Sequence, residues 1–329
     1  MTTTVTDTSI SREERALASR TPRSLWSDAW RRLLRNKAAV AGMIYIGFLI
    51  VLAFVAPLVA PHNPVQIIPG NSLRQAAWIS TPDRPDVTGT WEHPLGTDTI
   101  GRDVLSRLIY GVRTSLLVGF VPMILTTIIG SVVGLIAGYW GGAIDSSLMR
   151  FAEIVYSFPS FLLFIIVMAA LKDTPIGRFW NGFLILFGAL SLVLWVDIAR
   201  LVRGQVLSLK EKEFTEAARA IGVSTPAILF RHLLPNTLGP IIISAAFIVP
   251  GAIITEAVLS YLGIGVRPST ELDALFPVSW GNMILDGKST VVSQPWLLTA
   301  PAIAIATITM AFTFIGDGLR DALDPRETS

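Results

Sequence analysis

Long apolar stretches separated by short polar ones make up most of this chain. Six of them reach the length of about 20 mostly apolar residues that a helix needs to cross a membrane, and they cover residues 39–60, 114–138, 149–171, 182–201, 237–260 and 296–316. Because the membrane interior offers the backbone no water, an open chain crosses it as a helix with internal hydrogen bonds. The pattern predicts an all-α, polytopic membrane protein with six transmembrane helices.

The overall composition agrees with a membrane protein. Charged residues make up 15% of the 329 residues and hydrophobic residues 52%, whereas ordinary soluble domains carry roughly 25% charged residues. The net charge of +2 gives no reason to expect nucleic-acid binding.

The residue types that build metal and redox sites are scarce. The chain has no cysteine, which excludes disulfides, iron–sulfur clusters and thiol catalysis. His62, His93 and His232 are far apart and show no metal-ligand spacing. We therefore expect this chain to bind no metal or cofactor, although folding could still bring histidines and carboxylates together.

Residues 1–38 are predicted to form a tail that contains an interfacial helix. Residues 1–20 are polar and are predicted to be disordered. In the next segment, SLWSDAWRRLLRNK, arginines fill much of one helical face, as in a helix that lies on a membrane surface. The apolar side chains on its other face are Leu25, Trp26, Trp30, Leu33 and Leu34. The alternative is that this segment is only the start of the first span. That span, residues 39–60, is too long to be the apolar core of a signal peptide.

The distribution of lysine and arginine orients the spans. If the N-terminus is cytoplasmic, 17 of the 26 Lys and Arg residues lie in cytoplasmic segments, as the positive-inside rule expects. Arg102, Arg107 and Arg113 lie on the less expected side. Both termini are then cytoplasmic, and the chain divides into an extracytoplasmic segment at 61–113, a five-helix core at 114–316 and a C-terminal tail at 317–329.

One polar segment between two spans carries strong helix signals. In KEKEFTEAARAIGVSTPAILFRHLLPNTLGP, a helix is predicted from about Lys210 to Ile221, and Gly222 suits the left-handed turn that ends it. Pro226 lies near the start of a second helix, and Pro235 is expected to begin the next span. The segment 203–236 is therefore predicted to be a cytoplasmic helix–turn–helix.

The first helix of this segment offers small and charged side chains. Ala217 and Ala218 allow the surface of a partner to approach the backbone, and Glu216 and Arg219 add charged contacts. Such a helix suits insertion into a cleft on another protein, and it lacks the base and nucleophile that catalysis needs. A solvated connecting helix is the alternative.

The spacing of this segment resembles the EAA loop of ABC-importer permeases. The residues that carry the resemblance are Glu216, Ala217, Ala218, Gly222, His232, Leu234 and Pro235. RHLLPN resembles the branch that imports dipeptides, oligopeptides and nickel. Four further stretches resemble the C-type permease subunit of that branch, at 93–119, 256–266, 279–287 and 316–325. The similarity covers roughly residues 25 to 325, and residues 61–95 match least.

The resemblance implies a non-catalytic subunit with the type I ABC importer permease fold in the inner, cytoplasmic membrane. The implied partners are a homologous second permease, two ATP-binding cassette subunits that use ATP-Mg, and an extracytoplasmic solute-binding protein, with membrane lipid around them. In this family the EAA loop docks the ATPase, which assigns the coupling role to Glu216, Ala217, Ala218, Arg219, Gly222, His232, Leu234 and Pro235. The implied solute is a di- or oligopeptide, and nickel is the alternative.

Two glycine-containing motifs need separate interpretation. Gly130, Gly134 and Gly138 are spaced four apart, which suits close packing of helices, and the alternative is that they line a pathway. DGKST, at residues 286–290, resembles the end of a phosphate-binding loop but lacks the glycine that this motif needs at position 282. We therefore expect no ATP site in this chain.

The ionisable and aromatic residues near the membrane boundaries also allow two interpretations. Asp197 and Glu256 lie near the ends of predicted spans and are candidates for the translocation pathway, with helix capping or head-group contact as the alternative. The outer loop from Tyr261 to Pro295 is predicted to form a gate or a docking surface for a binding protein, and the alternative is that Trp280 and Trp296 are interfacial anchors. The rival classes are a stand-alone secondary transporter or channel and an intramembrane hydrolase. Against them, the sequence shows no charges at span centres and no paired nucleophile and base.

Overall fold

Helices form almost all of the structure. The computed structural model describes residues 25–323, and within that range the one extended pairing is an isolated β-bridge between Thr97 and Asp103. In chain order the helices are α1 (Leu25–Leu33), α2 (Lys37–Val59), α3 (Val104–Trp140), α4 (Gly142–Tyr156), α5 (Ser160–Leu171), α6 (Phe183–Leu209), α7 (Glu213–Ala220), α8 (Thr225–Tyr261), α9 (Trp280–Gly287) and α10 (Trp296–Leu323). Short turns lie at Pro85–Val87, Pro175–Arg178, Phe179–Gly182 and Lys288–Thr290. The all-α prediction is confirmed, and the predicted disorder of residues 1–20 falls outside the described range.

The six predicted spans correspond to five continuous helices and one bent pair. Helices α2, α3, α6, α8 and α10 are long and apolar enough to cross a membrane. Helices α4 and α5 meet this criterion only together, and they are bent by 78° at the break between them. The prediction of one continuous helix at 149–171 is therefore wrong. Pro159 lies at the break, where it supplies no backbone N–H and disfavours helical backbone at Phe158.

Several helices extend beyond the apolar stretches from which they were predicted. Helix α3 already begins at Val104, because the carboxylate of Asp103 caps it by accepting the backbone N–H of Ser106 at 2.7 Å. Helix α8 is continuous, so the second helix of the polar segment and the fifth span are one helix, and Pro235 lies inside it. Hydropathy marks only the apolar part of a helix and misses its polar ends.

The bundle has two ends that carry different structures. The loop end carries residues 210–224 together with the C-terminal ends of α3, α6 and α10. The cap end carries residues 60–103 and 262–295, which fold over the opposite ends of these helices. The two ends therefore offer separate surfaces for partners.

Helix α1 lies at the loop end and is separate from the first span. Asn36 begins α2 by accepting the backbone N–H groups of Ala38 and Ala39 at 3.1 Å. Leu33 is buried in one cluster with Ala322 of α10. The exposed apolar side chains of this helix and the turn after it are Trp26, Trp30 and Leu34. The predicted helix is confirmed, but its apolar side chains do not all face outward: some are exposed and Leu33 packs inside the protein.

The spaced glycines of α3 bring this helix into direct contact with α6. A Cβ atom added to Gly130, Gly134 or Gly138 would come within 2.6–2.8 Å of atoms of α6, among them the backbone carbonyl of Ala199. Only a residue without a side chain fits at such a distance. Packing within the bundle is confirmed, and the alternative of a glycine-lined pathway is wrong.

An ionic network at the cap end explains two of the unexpected arginines. The guanidinium group of Arg107 is buried and donates to Asp98 at 2.5 Å and to Asp286 at 2.9 Å. Arg102 donates to the same two carboxylates at 2.7 and 2.8 Å. Asp286 is the first residue of the DGKST motif, so this motif contributes an ion-pair partner to the cap. Arg113 instead donates to the backbone carbonyl of Ala53 at 2.6 Å.

The two outer tryptophans hold the cap to the bundle. Trp280 is 2% exposed and donates from its indole nitrogen to the carbonyl of Leu108 at 2.9 Å. Trp296 donates in the same way to the carbonyl of Leu95, also at 2.9 Å. The interpretation of Trp280 as a membrane anchor is therefore wrong, since this side chain contacts the interior of the protein instead.

Candidate functional site

Helix α7 is held firmly against the loop end of the bundle. The side chain of Thr215 is buried and donates to the carbonyl of Leu209 at 2.9 Å. Ala218 is 6% exposed and packs in a cluster with Val202 and Val206 of α6. Gly222 ends the helix with a φ of +78°, which confirms the predicted left-handed turn. The helix is therefore fixed to α6 rather than free in solvent.

The outward side of α7 carries an apolar stripe. Phe214, Ala217 and Ile221 are exposed and are spaced three and four residues apart, so they lie on one helical face. We call these three residues the docking face. Glu216 is also exposed and forms no ion pair among residues 25–323. Of the two alanines, Ala217 is the one on the exposed side, whereas Ala218 packs against the chain itself; their coupling role stays a prediction.

A widened turn connects the polar segment to the fifth span. Residues Ile228–Leu233 form a π-helical turn, in which the backbone N–H of Leu234 donates to the carbonyl of Leu229. Pro235 follows directly and supplies no N–H, so the wider turn lets the helix continue past it. His232 is half-buried, and its carbonyl accepts the side-chain amide of Asn236 at 2.6 Å.

Charged contacts strengthen the base of this segment. The guanidinium group of Arg203 on α6 donates to both carboxylate oxygens of Asp145 on α4, at 2.5 and 2.7 Å. Lys210 donates to the carbonyl of Gly138 at 3.1 Å. The guanidinium group of Arg219 lies 5.1 Å from the centre of the Tyr139 ring, within the range of a cation–π contact. These contacts join α3, α4, α6 and α7 at the loop end.

A second candidate site is a cleft of about 390 Å³ between α6 and α8, whose lining includes Asp197, Ser244, Gly251 and Thr255. Asp197 is exposed, and its carboxylate makes no hydrogen bond or ion pair within the described part of the chain. The hydropathy pattern placed this carboxylate near the end of a span. Because α6 continues to Leu209, the carboxylate lies near the middle of the helix itself. It is an unpaired acid on the wall of this cleft.

Glu256 occupies a different place from Asp197. It is 2% exposed, and its carboxylate accepts the hydroxyl of Ser260 at 2.6 Å. The prediction that Glu256 faces the mouth of a pathway is not supported by this position, since the side chain lies inside the chain's own core.

Two histidines that the sequence separates lie side by side at the cap end. The ring centres of His62 and His93 are 4.4 Å apart. The fold thus brings together two of the three histidines that are far apart in the sequence, because residues 60–103 fold back on themselves.

The structure is a bundle of membrane-length helices with a packed polar segment at one end and a folded cap at the other. A family profile described as "Binding-protein-dependent transport system inner membrane component" matches residues 130–329. A second profile, described as "N-terminal TM domain of oligopeptide transport permease C", matches residues 24–77. The chain belongs to the family of binding-protein-dependent inner-membrane transport components.

Several relatives match over most of their length. The oligopeptide transport system permease protein OppC of Haemophilus influenzae is 41% identical over 305 residues, which cover 93% of this chain and 90% of the relative. The dipeptide transport system permease protein DppC of Bacillus subtilis is 40% identical over 305 residues, covering 92% of this chain and 86% of the relative. The glutathione transport system permease protein GsiD of Pectobacterium atrosepticum is 34% identical, covering 92% of each chain.

A solved transporter shares the fold. An inward-facing structure of the MetNI methionine ABC transporter matches with a TM-score of 0.51 and 19% identity, covering 66% of this chain and 96% of the matched chain. At this identity the likeness concerns the fold, which is that of an ABC transporter permease. The chain is thus a multi-pass inner-membrane permease subunit.

Proposed function

We propose that this chain forms half of the translocation pathway of an ATP-driven importer for di- and oligopeptides. The oligopeptide and dipeptide permeases among its relatives support this class of solute. The other parts of the importer would be a homologous second permease, two ATP-binding cassette subunits that hydrolyse ATP-Mg, and an extracytoplasmic solute-binding protein. In this assembly the chain itself breaks and forms no covalent bond.

The observation that carries the proposal is the docking face on a rigidly held α7. Phe214, Ala217 and Ile221 offer apolar area with a small residue at the centre, where a cleft on an ATPase can approach the backbone. Glu216 beside them is free to pair with a cation of that partner. Exposed apolar residues on a well-packed helix are typical of a protein contact.

The fold also supplies a path from this face to the far side of the membrane. Ala218 and Thr215 fix α7 to α6, and a short turn at Gly222 joins it to α8. Helix α8 then runs without a break to Tyr261 at the cap end. When ATP closes the two ATPases, a displacement of α7 would therefore tilt α6 and α8 together and expose the pathway alternately to each side.

The cleft at Asp197 is the proposed pathway surface of this subunit. An ionised carboxylate on a transmembrane helix is unfavourable when it faces lipid, by up to roughly 2.5–3.5 kcal/mol at the centre of the membrane. An exposed and unpaired Asp197 therefore favours a water-filled pathway beside α6. Its negative charge would attract the ammonium group of a peptide. The excess of Lys and Arg in the segments at the loop end supports a cytoplasmic location for that end and for both termini.

Uptake by living cells tests this proposal and its nickel alternative. Cells that lack this chain receive wild type, Glu216→Lys, or the control Glu211→Lys, which makes the same charge change at an exposed position just before α7. A labelled dipeptide, a longer peptide and nickel are offered in turn. We expect peptide uptake to be lost on deletion, restored by wild type and by the control, and not restored by Glu216→Lys. Loss of nickel uptake alone would contradict the peptide proposal.

A further inference from the structure

A cluster of potential metal ligands lies at the cap end, remote from the docking face and from Asp197. His62, Glu92 and His93 each bring one ligand atom to within 4.8 Å of the other two. His62 follows α2 and His93 precedes α3, so the cluster lies between the segment that enters the cap and the segment that leaves it. Imidazole nitrogen and carboxylate oxygen are ligands that zinc prefers.

The buried member of the cluster is already oriented for this role. His93 is fully buried, and its Nδ1 lies 2.9 Å from a carboxylate oxygen of Asp103. The carboxylate accepts the Nδ1–H, so Nε2 is the unprotonated nitrogen; the side-chain amide of Asn71 lies 3.5 Å from it, and a cation at Nε2 would replace this long contact. A carboxylate behind a histidine in this way fixes the tautomer and increases the basicity of the ring, as in many zinc proteins.

The second histidine has an unsatisfied nitrogen. The Nδ1 of His62 is buried and has no hydrogen-bond partner among the described residues. It lies 3.9 Å from the same oxygen of Asp103, beyond hydrogen-bond distance. A buried polar atom without a partner is unfavourable, and a cation bound beside both rings would satisfy it.

The third member can move to complete the site. Ligand atoms around a tetrahedral zinc ion lie about 3.3 Å apart, given zinc–ligand distances near 2.05 Å. Glu92 is exposed and makes no salt bridge among residues 25–323, so its side chain can approach the two rings without loss of an existing contact. His93 provides the fixed reference point.

We propose that His62, Glu92 and His93 bind a zinc ion at the cap end, with Asp103 positioning His93. The ion would tie the end of α2 to the N-terminus of α3, where Asp103 also caps the helix. Two imidazoles and one carboxylate leave the fourth position for water. The site would stabilise the cap, and it stands independently of the solute that the importer carries.

Metal titration of the purified protein tests this site. The full-length chain, purified in detergent with an affinity tag free of histidine and stripped with a chelator, is titrated with zinc against a chromophoric competitor. We expect one zinc ion per chain and a Kd that rises at least tenfold in His62→Ala and in Glu92→Gln. His232→Ala, which removes the histidine at the loop end, is the matched control and should leave the Kd unchanged.

Two further readouts separate binding from folding. His62→Ala and Glu92→Gln change residues that are at least partly exposed, so we expect both variants to keep the secondary structure of wild type, as measured by circular dichroism. Zinc should raise the thermal midpoint of wild type and of His232→Ala, and should raise it less in His62→Ala. Substoichiometric zinc in wild type, or an unchanged Kd in both His62→Ala and Glu92→Gln, would overturn the proposal.

Discussion

Arg203 and Asp145 join two helices at the loop end through a bidentate ion pair. Both nitrogen–oxygen distances, 2.5 and 2.7 Å, are short, and the pair connects α6 to the start of α4. The helix that carries Asp197 and supports α7 is thereby tied to the bent pair α4–α5.

This relationship predicts a measurable coupling energy between the two residues. Both side chains are partly accessible to solvent, so the pair should contribute about 1 kcal/mol, as do well-formed surface pairs. Arg203→Ala and Asp145→Ala should each lower the free energy of unfolding by a similar amount, and the double variant should be hardly worse than either. Denaturant unfolding of the detergent-solubilised protein measures this, and strict additivity would contradict it.

The two neighbouring alanines of α7 should respond oppositely to enlargement. Ala217 is exposed on the docking face, so Ala217→Arg should fold normally but reduce transport by at least tenfold by blocking the ATPase. Ala218 is buried against α6, so Ala218→Leu should lower stability by about 1–3 kcal/mol through overpacking. Thermal unfolding and transport in proteoliposomes, measured on both variants, separate the two effects. Equal loss of stability in both would contradict the assignment.

The carboxylate of Asp197 should select for the free amino end of a peptide. Asp197→Asn removes the charge and disturbs no partner within the described residues, so we expect normal expression. Uptake of a dipeptide with a free amino group should fall roughly fivefold, which corresponds to about 1 kcal/mol, while uptake of its N-acetylated form should change little. Ser244→Ala, in the same cleft, is the control. An equal effect of Asp197→Asn on both peptides would argue against a charge contact.

The cap should depend strongly on one buried arginine. Arg107→Leu leaves the carboxylates of Asp98 and Asp286 facing a single remaining cation, and breaking a buried ion pair in this way costs about 3–5 kcal/mol. The control Arg84→Leu breaks an exposed pair with Asp86 at 3.8 Å and should cost well under 1 kcal/mol. Unfolding measurements on both variants test the contrast, and a small effect of Arg107→Leu would contradict it.

Much of the architecture follows from the sequence, because hydropathy and helix-ending residues act locally. The apolar stretches located the spans, Gly222 located the end of α7, and the spaced glycines of α3 anticipated its contact with α6. The sequence shows Pro159, but it does not show how sharply the chain bends there, since the angle between α4 and α5 depends on what these helices pack against.

The missed features are those that depend on distant parts of the chain. Asp286 is far in sequence from Arg107, and no local pattern indicates that they pair. The contact of His62 with His93 requires the fold of the whole cap. Ala218 and Ala217 are identical in type, and only the packing of α7 on α6 decides which one faces outward.

The central claim, that the docking face meets an ATPase, can be tested directly because the chain has no cysteine of its own. A single Ala217→Cys substitution gives one defined attachment point for a short thiol-reactive crosslinker in membranes that contain the whole importer. Val292→Cys, at a highly exposed position of the cap end, is the matched control. We expect Ala217→Cys to yield a crosslink to the ATPase subunit and Val292→Cys to yield none. Absence of that product from Ala217→Cys, or its equal appearance from Val292→Cys, would contradict the account.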